Sequence, residues 1–258
     1  MIKEEFWNTK AKIFEIPKYD LFEIPKFKCP KCDEGLLIFD TQKMISEEME
    51  QSKKTFEATQ EIEYCEGFFS AFGKCYNPDC KEIVIISGVT KVKLYEWDEE
   101  TDSSFPVYKS IYEIQYINPP IRLIDLPIDI NNDIKDTLNK SFSLFWIDEN
   151  ACANKIRIVI EQLLDFLEVA KKRTLHLRID ELKGSPNLFK LLSAVKFIGN
   201  EGSHSPIDLE RKDLIDAYRI IELSLKDSFD KTREEINQIA TIINQKYDNS
   251  LVKIDSNI

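Results

Sequence analysis

The chain has 258 residues, 43% hydrophobic and 31% charged, with a formal net charge of −11 and only seven glycines. That composition excludes disordered and fibrous classes, a glycine-rich nucleotide cradle, and a general nucleic-acid coat, which needs a basic field. No apolar run reaches the roughly 18 residues that cross a bilayer, and Met1-Ile2-Lys3-Glu4-Glu5 carries acids where a signal peptide needs an apolar core, so a cytoplasmic protein without membrane contact is expected.

In chain order, the first elements are strands. Leu36–Phe39, Ile83–Ile86, Val92–Tyr95 and Tyr112–Tyr116 are short, apolar or alternating, and rich in β-formers. Residues 42–63 are rich in Glu, Lys and Gln without Gly or Pro, which predicts an exposed helical insert. Residues 98–106 read as a polar loop. Asn118-Pro119-Pro120, followed by Pro127, ends the strand pattern and marks the domain boundary.

From about 131 the apolar period becomes helical. One stripe runs through Ile134, Leu138, Phe142 and Phe145. A second runs through Ile156, Ile160, Leu163, Leu164 and Leu167 after Asp148 as N-cap. Leu175, Ile179 and Leu182 follow a Thr174 cap, and Leu188 to Val195 enter through Ser185-Pro186. The last long stripe, Leu214 to Leu225, is capped by Ser205 or Asp208. One-sided stripes bury their faces against one another, which predicts a compact bundle. Residues 232–247 read as an added helix with Ile236, Ile239 and Ile243 before a loose tail.

Two short cysteine pairs lie in the β region, Cys29-Pro-Lys-Cys32 and Cys75-Tyr-Asn-Pro-Asp-Cys80. Two or four intervening residues let both thiolates of a pair face one ion, and four thiolates close a tetrahedral, structural zinc site. Disulfides are the alternative, disfavoured in a reducing compartment; an iron–sulfur cluster uses the same ligand count. Cys65 is a weak substitute ligand and Cys152 a small core residue. The expected fold is therefore α+β: a zinc-ribbon-like β-module with a helical insert over 1–127, an all-α bundle over 128–230, and a C-terminal helix and tail over 231–258.

Charge is uneven. Residues 1–120 carry a net −8, which favours a protein partner for the β-module, whereas 171–200 carry +5. That basic stretch includes Arg173, Arg178 and Lys190, candidate contacts for an anion, or else a solvated helical face. It leads into Leu192-Ser-Ala-Val-Lys196-Phe-Ile-Gly199-Asn200-Glu-Gly202-Ser-His204. The glycines are expected to end a helix at Gly199 and to turn His204, one of two histidines, back toward Lys196 and Asn200. The bland alternative is a helix cap in which His204 packs or caps the next helix.

From Pro119 to about Phe229 the sequence resembles the bacterial family catalogued as domain of unknown function 4145. The marks are Pro119-Pro120 with Ile124-Asp-Leu-Pro127, Ala151-Cys-Ala-Asn-Lys-Ile-Arg157 leading to Ile160-Glu-Gln-Leu-Leu164, Thr174-Leu-His-Leu-Arg-Ile-Asp-Glu-Leu182, and Lys196-Phe-Ile-Gly-Asn-Glu-Gly-Ser-His204. That family is grouped with the HEPN superfamily of helical bundles, found in toxins, antiviral defence and RNA processing. Active members are metal-independent ribonucleases with an arginine–histidine motif paired across a homodimer. The resemblance implies an HEPN-like bundle, a homodimer, RNA or another nucleic acid as partner, and His204 as the acid/base group of a phage-defence or stress-response effector. Asn200 is expected to orient it. Lys196 stands where the arginine is expected, and a lysine lacks the bidentate fork. The alternative is a non-catalytic dimeric adaptor that recognises a protein or nucleic acid through the bundle and the zinc ribbon.

Overall fold

The computed structural model describes residues 12–16, 21–23, 26–32, 34–95, 107–204, 209, 211–229, 236 and 238–245. Seven strands form one antiparallel sheet: β1 (Lys12–Ile16), β2 (Leu21–Glu23), β3 (Leu37–Phe39), β4 (Ile45–Glu48), β5 (Glu66–Cys75), β6 (Ile83–Tyr95) and β7 (Val107–Asn118). Their order is β2-β1-β7-β6-β5-β3, and β4 shares the β3 edge of β5.

β5 alternates strictly. Gly67, Phe69, Ala71, Gly73 and Cys75 are buried on the inner face, while Phe68 and Phe72 point outward. The two stretches expected as separate strands at 83–86 and 92–95 are one continuous strand, β6. The Ser87-Gly88 step between them is a β-bulge rather than a turn. Gly88 permits it, because a Cβ there would strike the Glu113 carbonyl oxygen.

The insert differs from the continuous helix expected over 42–63. Only α1 (Glu50–Thr59) is α-helical, and Ile45 to Glu48 pair with Ser70 to Gly67 as β4. An exposed polar segment loses little local preference on joining a sheet edge, so tertiary pairing decides its conformation. Ser52 ties α1 down: its hydroxyl donates to the Tyr64 carbonyl (2.9 Å) and accepts from the Glu66 N–H (2.8 Å).

The helices that follow are α2 (Asn132–Leu144), α3 (Glu149–Phe166), α4 (Leu175–Ile179), α5 (Pro186–His204) and α6 (Arg211–Phe229). Side-chain caps start three of them: Asn131 accepts from the Asp133 N–H (2.7 Å), Asp148 from Ala151 (2.8 Å) and Thr174 from Leu177 (3.3 Å). α3 is the central helix. Its Cys152, Ala153, Ile156, Val159, Ile160, Leu163 and Leu164 are fully buried against α2, α5 and α6.

The inner sheet face and the bundle share one apolar core, running from Phe27 and Val84 through Phe142 and Phe145 to Leu225. Residues 238–245 are also helical and exposed. The expected polar loop at 98–106, the expected caps Ser205 and Asp208, and the last ten residues, expected to be loose, lie outside the described residues.

Candidate functional site

Two hairpin tips build the cysteine cluster. In the first, the Leu37 N–H donates to the Phe27 carbonyl (2.8 Å) and the Cys29 N–H to the Gly35 carbonyl (2.7 Å), so 27–29 and 35–37 run antiparallel around Cys32. In the second, the tip of the β5–β6 hairpin, the Cys75 N–H donates to the Glu82 carbonyl (2.8 Å). There Asn77 organises the turn, accepting from Asp79 through its side chain (3.0 Å) and from Cys80 and Lys81 through its carbonyl (both 3.1 Å). The tips are joined where the Tyr76 N–H donates to the Leu36 carbonyl (2.9 Å).

The result is four sulfurs facing one point. Cys29 and Cys80 Sγ are 3.7 Å apart, as are Cys32 and Cys75 Sγ, and all four sulfurs lie within 4.8 Å of one another. A disulfide needs about 2.05 Å, so all are free thiols. A tetrahedron of thiolates around an ion at about 2.3 Å has an edge of about 3.8 Å. Two of the six sulfur–sulfur edges have that length and the rest stay within 4.8 Å, so the four residues are placed where they could hold a metal ion.

Local electrostatics are asymmetric. The Gly35 N–H donates to Cys32 Sγ (3.4 Å) and holds that thiol down at about 7, while burial pushes Cys75 up to about 12. Gly35 is required by close approach, since a Cβ there would collide with Cys75 Sγ. Lys31, inside the first knuckle, pairs with Glu82 beyond the second at 3.0 Å. The Lys31 ammonium holds the Glu82 carboxyl below its ordinary range, and Glu82 raises Lys31 in turn.

The other cysteines stand apart. Cys65 lies outside the cluster, and burial raises its thiol. Cys152 is fully buried in α3 and leads a polar chain through the bundle. Its sulfur lies 3.1 Å from the Tyr218 hydroxyl, which donates to Ser141 Oγ (2.9 Å), which donates to the Leu138 carbonyl (2.8 Å). Burial pushes the Cys152 thiol up to about 12, away from reactivity.

The helical site differs from expectation in two respects. α5 does not end at Gly199 but continues through Gly202 to His204. A glycine inside a helix costs only about 1 kcal/mol, and packing of α5 on α3 and α6 overrides that preference. Lys196, Asn200 and His204 thus occupy positions i, i+4 and i+8 of one helix, with no glycine turn between them. Their side chains, and the expected cleft, lie outside the described residues.

The second difference concerns Arg178. Arg173 and Lys190 are exposed, as an anion-facing patch requires, but Arg178 is buried. Its guanidinium donates to the Val169 carbonyl (2.7 and 3.2 Å), the Glu161 carbonyl (3.1 Å) and Asp165 Oδ1 (2.6 Å). It closes the C-terminal end of α3, where Glu168 turns left-handed with φ 56° and orphan carbonyls attract a cation. Arg178 is therefore a helix cap rather than a surface contact. His176, exposed, lies 3.8 Å from Asp180.

Two contacts are invisible in the sequence: Arg211, which begins α6, pairs with Glu149 (2.8 Å) and lies over the Phe145 ring at 5.1 Å, and Lys31 pairs with Glu82. Neither has a local signal, because both partners are far apart in sequence.

The chain thus combines an antiparallel sheet, a cluster of four cysteines that could hold a metal ion, and an α-helical region that follows it. Two family models match separate stretches of the chain. Residues 18–117 match the family model described as domain of unknown function (DUF8608), and residues 139–247 match domain of unknown function (DUF4145). The second is the family that the sequence resembles from Pro119 onward. No curated protein and no solved structure gives a significant match. Among the described residues, no helix is long and apolar enough to cross a membrane.

Proposed function

We propose that this is a zinc-stabilised, nucleic-acid-associated protein whose helical region is HEPN-like and contacts RNA phosphates along α5. The observation that carries this reading is the placement of Lys196, Asn200 and His204 at i, i+4 and i+8 of an uninterrupted helix, with Lys190 exposed earlier on the same helix and Arg173 exposed in the segment before it. His204 is the candidate acid/base group for attack by a ribose 2′-hydroxyl. Lys196 neutralises phosphate charge, and Asn200 orients the imidazole. The zinc ion, held by Cys29, Cys32, Cys75 and Cys80, is structural, because four protein thiolates leave no open position.

The test is incubation of the zinc-loaded protein with labelled RNA in buffer without added divalent metal or chelator. Cleavage that His204→Ala abolishes while binding persists supports the catalytic assignment, since a proton-transfer group acts mainly in the transition state. Binding that weakens with salt and with Lys196→Ala supports the phosphate contact. Absence of both cleavage and binding overturns the proposal.

One observation favours the second reading, a non-catalytic dimeric adaptor. Arg178 caps α3, so the helical segment before α5 offers one fewer guanidinium to a phosphate. A mobility shift without cleavage would decide for the adaptor.

A further inference from the structure

The outer face of the sheet is apolar. Ile38, Ile45, Phe68, Phe72 and Ile83 are each more than half exposed, and Tyr116 nearly half. Register places them together: Ile45 opposes Ser70, Ile38 opposes Lys74, and β5 carries Phe68 and Phe72 on that side. Across β6, Phe72 opposes Ile85, Lys74 opposes Ile83, and Ser87 opposes Tyr116 of β7. Antiparallel sheets with one wet face alternate apolar and polar residues; unbroken apolar runs belong to strands covered on both sides. Phe68-Phe69 and Ile83-Val84-Ile85-Ile86 are such runs, yet the bundle covers only Phe69, Val84 and Ile86 on the inner side.

We infer that this outer sheet face docks face to face on the same face of a second copy of the chain, with β5 of the two copies antiparallel across a twofold axis near Ser70. Area and charge both point to a second copy. The six side chains expose roughly 600 Å² of apolar surface, at the upper end for a monomer. Two such faces together cover about 1,200 Å², which reaches the lower bound of stable interfaces. Charge along the outer side of β5 is polar end to end. Glu66 and Glu47, which opposes Phe68, stand at one end beside Lys91, itself paired with Glu113 at 3.4 Å, and Lys74 stands at the other, with Ser70 midway. A twofold through Ser70 sets Lys74 of each copy against Glu66 of the other, whereas a parallel stack would oppose like charges. The two sheets then pack about 10 Å apart as an aligned sandwich.

The test is the mass of the full chain by light scattering and sedimentation at micromolar concentration. A dimer is expected. Phe72→Glu should weaken it roughly thirtyfold or more while the helical circular dichroism stays unchanged, and Ile45→Lys, on the short edge strand β4, should do the same without touching the central strands. Lys74→Glu alone should weaken the dimer, and Lys74→Glu with Glu66→Lys should restore it. A monomeric native chain overturns the inference. So does a dimer that survives both Phe72→Glu and Ile45→Lys, or one that only Ile239→Glu on the exposed helix 238–245 dissociates. Failure of the charge exchange to rescue overturns the antiparallel arrangement. None of these readings depends on RNA binding or cleavage.

Discussion

Phe27 and Trp146 meet edge to face, with ring centroids 6.4 Å apart and planes at 87°. Phe27 lies two residues before the first metal-type cysteine, and Trp146 closes the turn after α2. Phe27 also packs edge to face on Phe39 of β3 (6.2 Å), and Trp146 on Phe145 (5.3 Å). The first knuckle is thereby wedged between the sheet and the bundle, so its order is communicated to both.

Metal removal should consequently be felt in the helices. A structural tetrathiolate zinc contributes on the order of 10 kcal/mol to folding. Cys75→Ser, or a strong chelator, should abolish bound metal, lower the melting temperature and broaden the helical transition followed at 222 nm, about the wavelength at which helix is read. Elemental analysis of the native chain should give about one zinc per chain by the four-ligand count. Helical melting indifferent to chelation would show that the Phe27–Trp146 contact transmits nothing.

Gly35→Ala should reproduce part of that loss without removing a ligand. Its Cβ would enter the space of Cys75 Sγ, so the first hairpin tip must shift away from the second. Metal content or retention should fall. Gly184→Ala is the control, because its Cβ would meet nothing within 4 Å; equal metal loss in both would refute the packing argument.

The Lys31–Glu82 pair predicts a pH dependence with a definite sign. The folded Glu82 carboxyl sits below its ordinary range because of Lys31, so its stabilising effect is complete above the ordinary carboxylate pKa. It is lost as pH falls through the lower folded value. Glu82→Gln should therefore reduce stability at neutral pH and narrow its difference from the native protein in acid, as read from melting curves across pH. A difference that widens in acid would contradict this.

Arg178→Ala should destabilise the bundle by about 3 kcal/mol, because it strips a buried cation from the Glu161 and Val169 carbonyls and from Asp165. Exposed Arg173→Ala should stay within about 0.5 kcal/mol of the native protein. Denaturant titration of both variants checks the contrast, and similar costs would mean that Arg178 does not cap α3.

Short-range chemistry made the cysteine cluster and most helices legible in the sequence. Cys29–Cys32 and Cys75–Cys80 announce themselves by spacing, and Asp148 and Thr174 by their place before apolar stripes. β5 was not legible: Gly67 and Gly73 interrupt it, and Phe68-Phe69 and Ala71-Phe72 break the polar–apolar alternation that marks a strand. β4 was hidden in a polar insert that becomes a strand only because β5 offers it an edge.

What the sequence by itself determined was therefore local: turn chemistry, helix period, caps, and thiols paired closely enough to face one ion. Tertiary structure alone decided that the two knuckles meet at 3.7 Å between sulfurs, that Arg178 turns inward, that α5 runs through its glycines to His204, and that Ile38, Ile45, Phe68, Phe72 and Ile83 stand exposed on the outer sheet face. The physical reason is range. A cap or a period is settled within a few residues, whereas the burial of a charge, the fate of a helical glycine and the covering of a sheet face depend on partners tens of residues away.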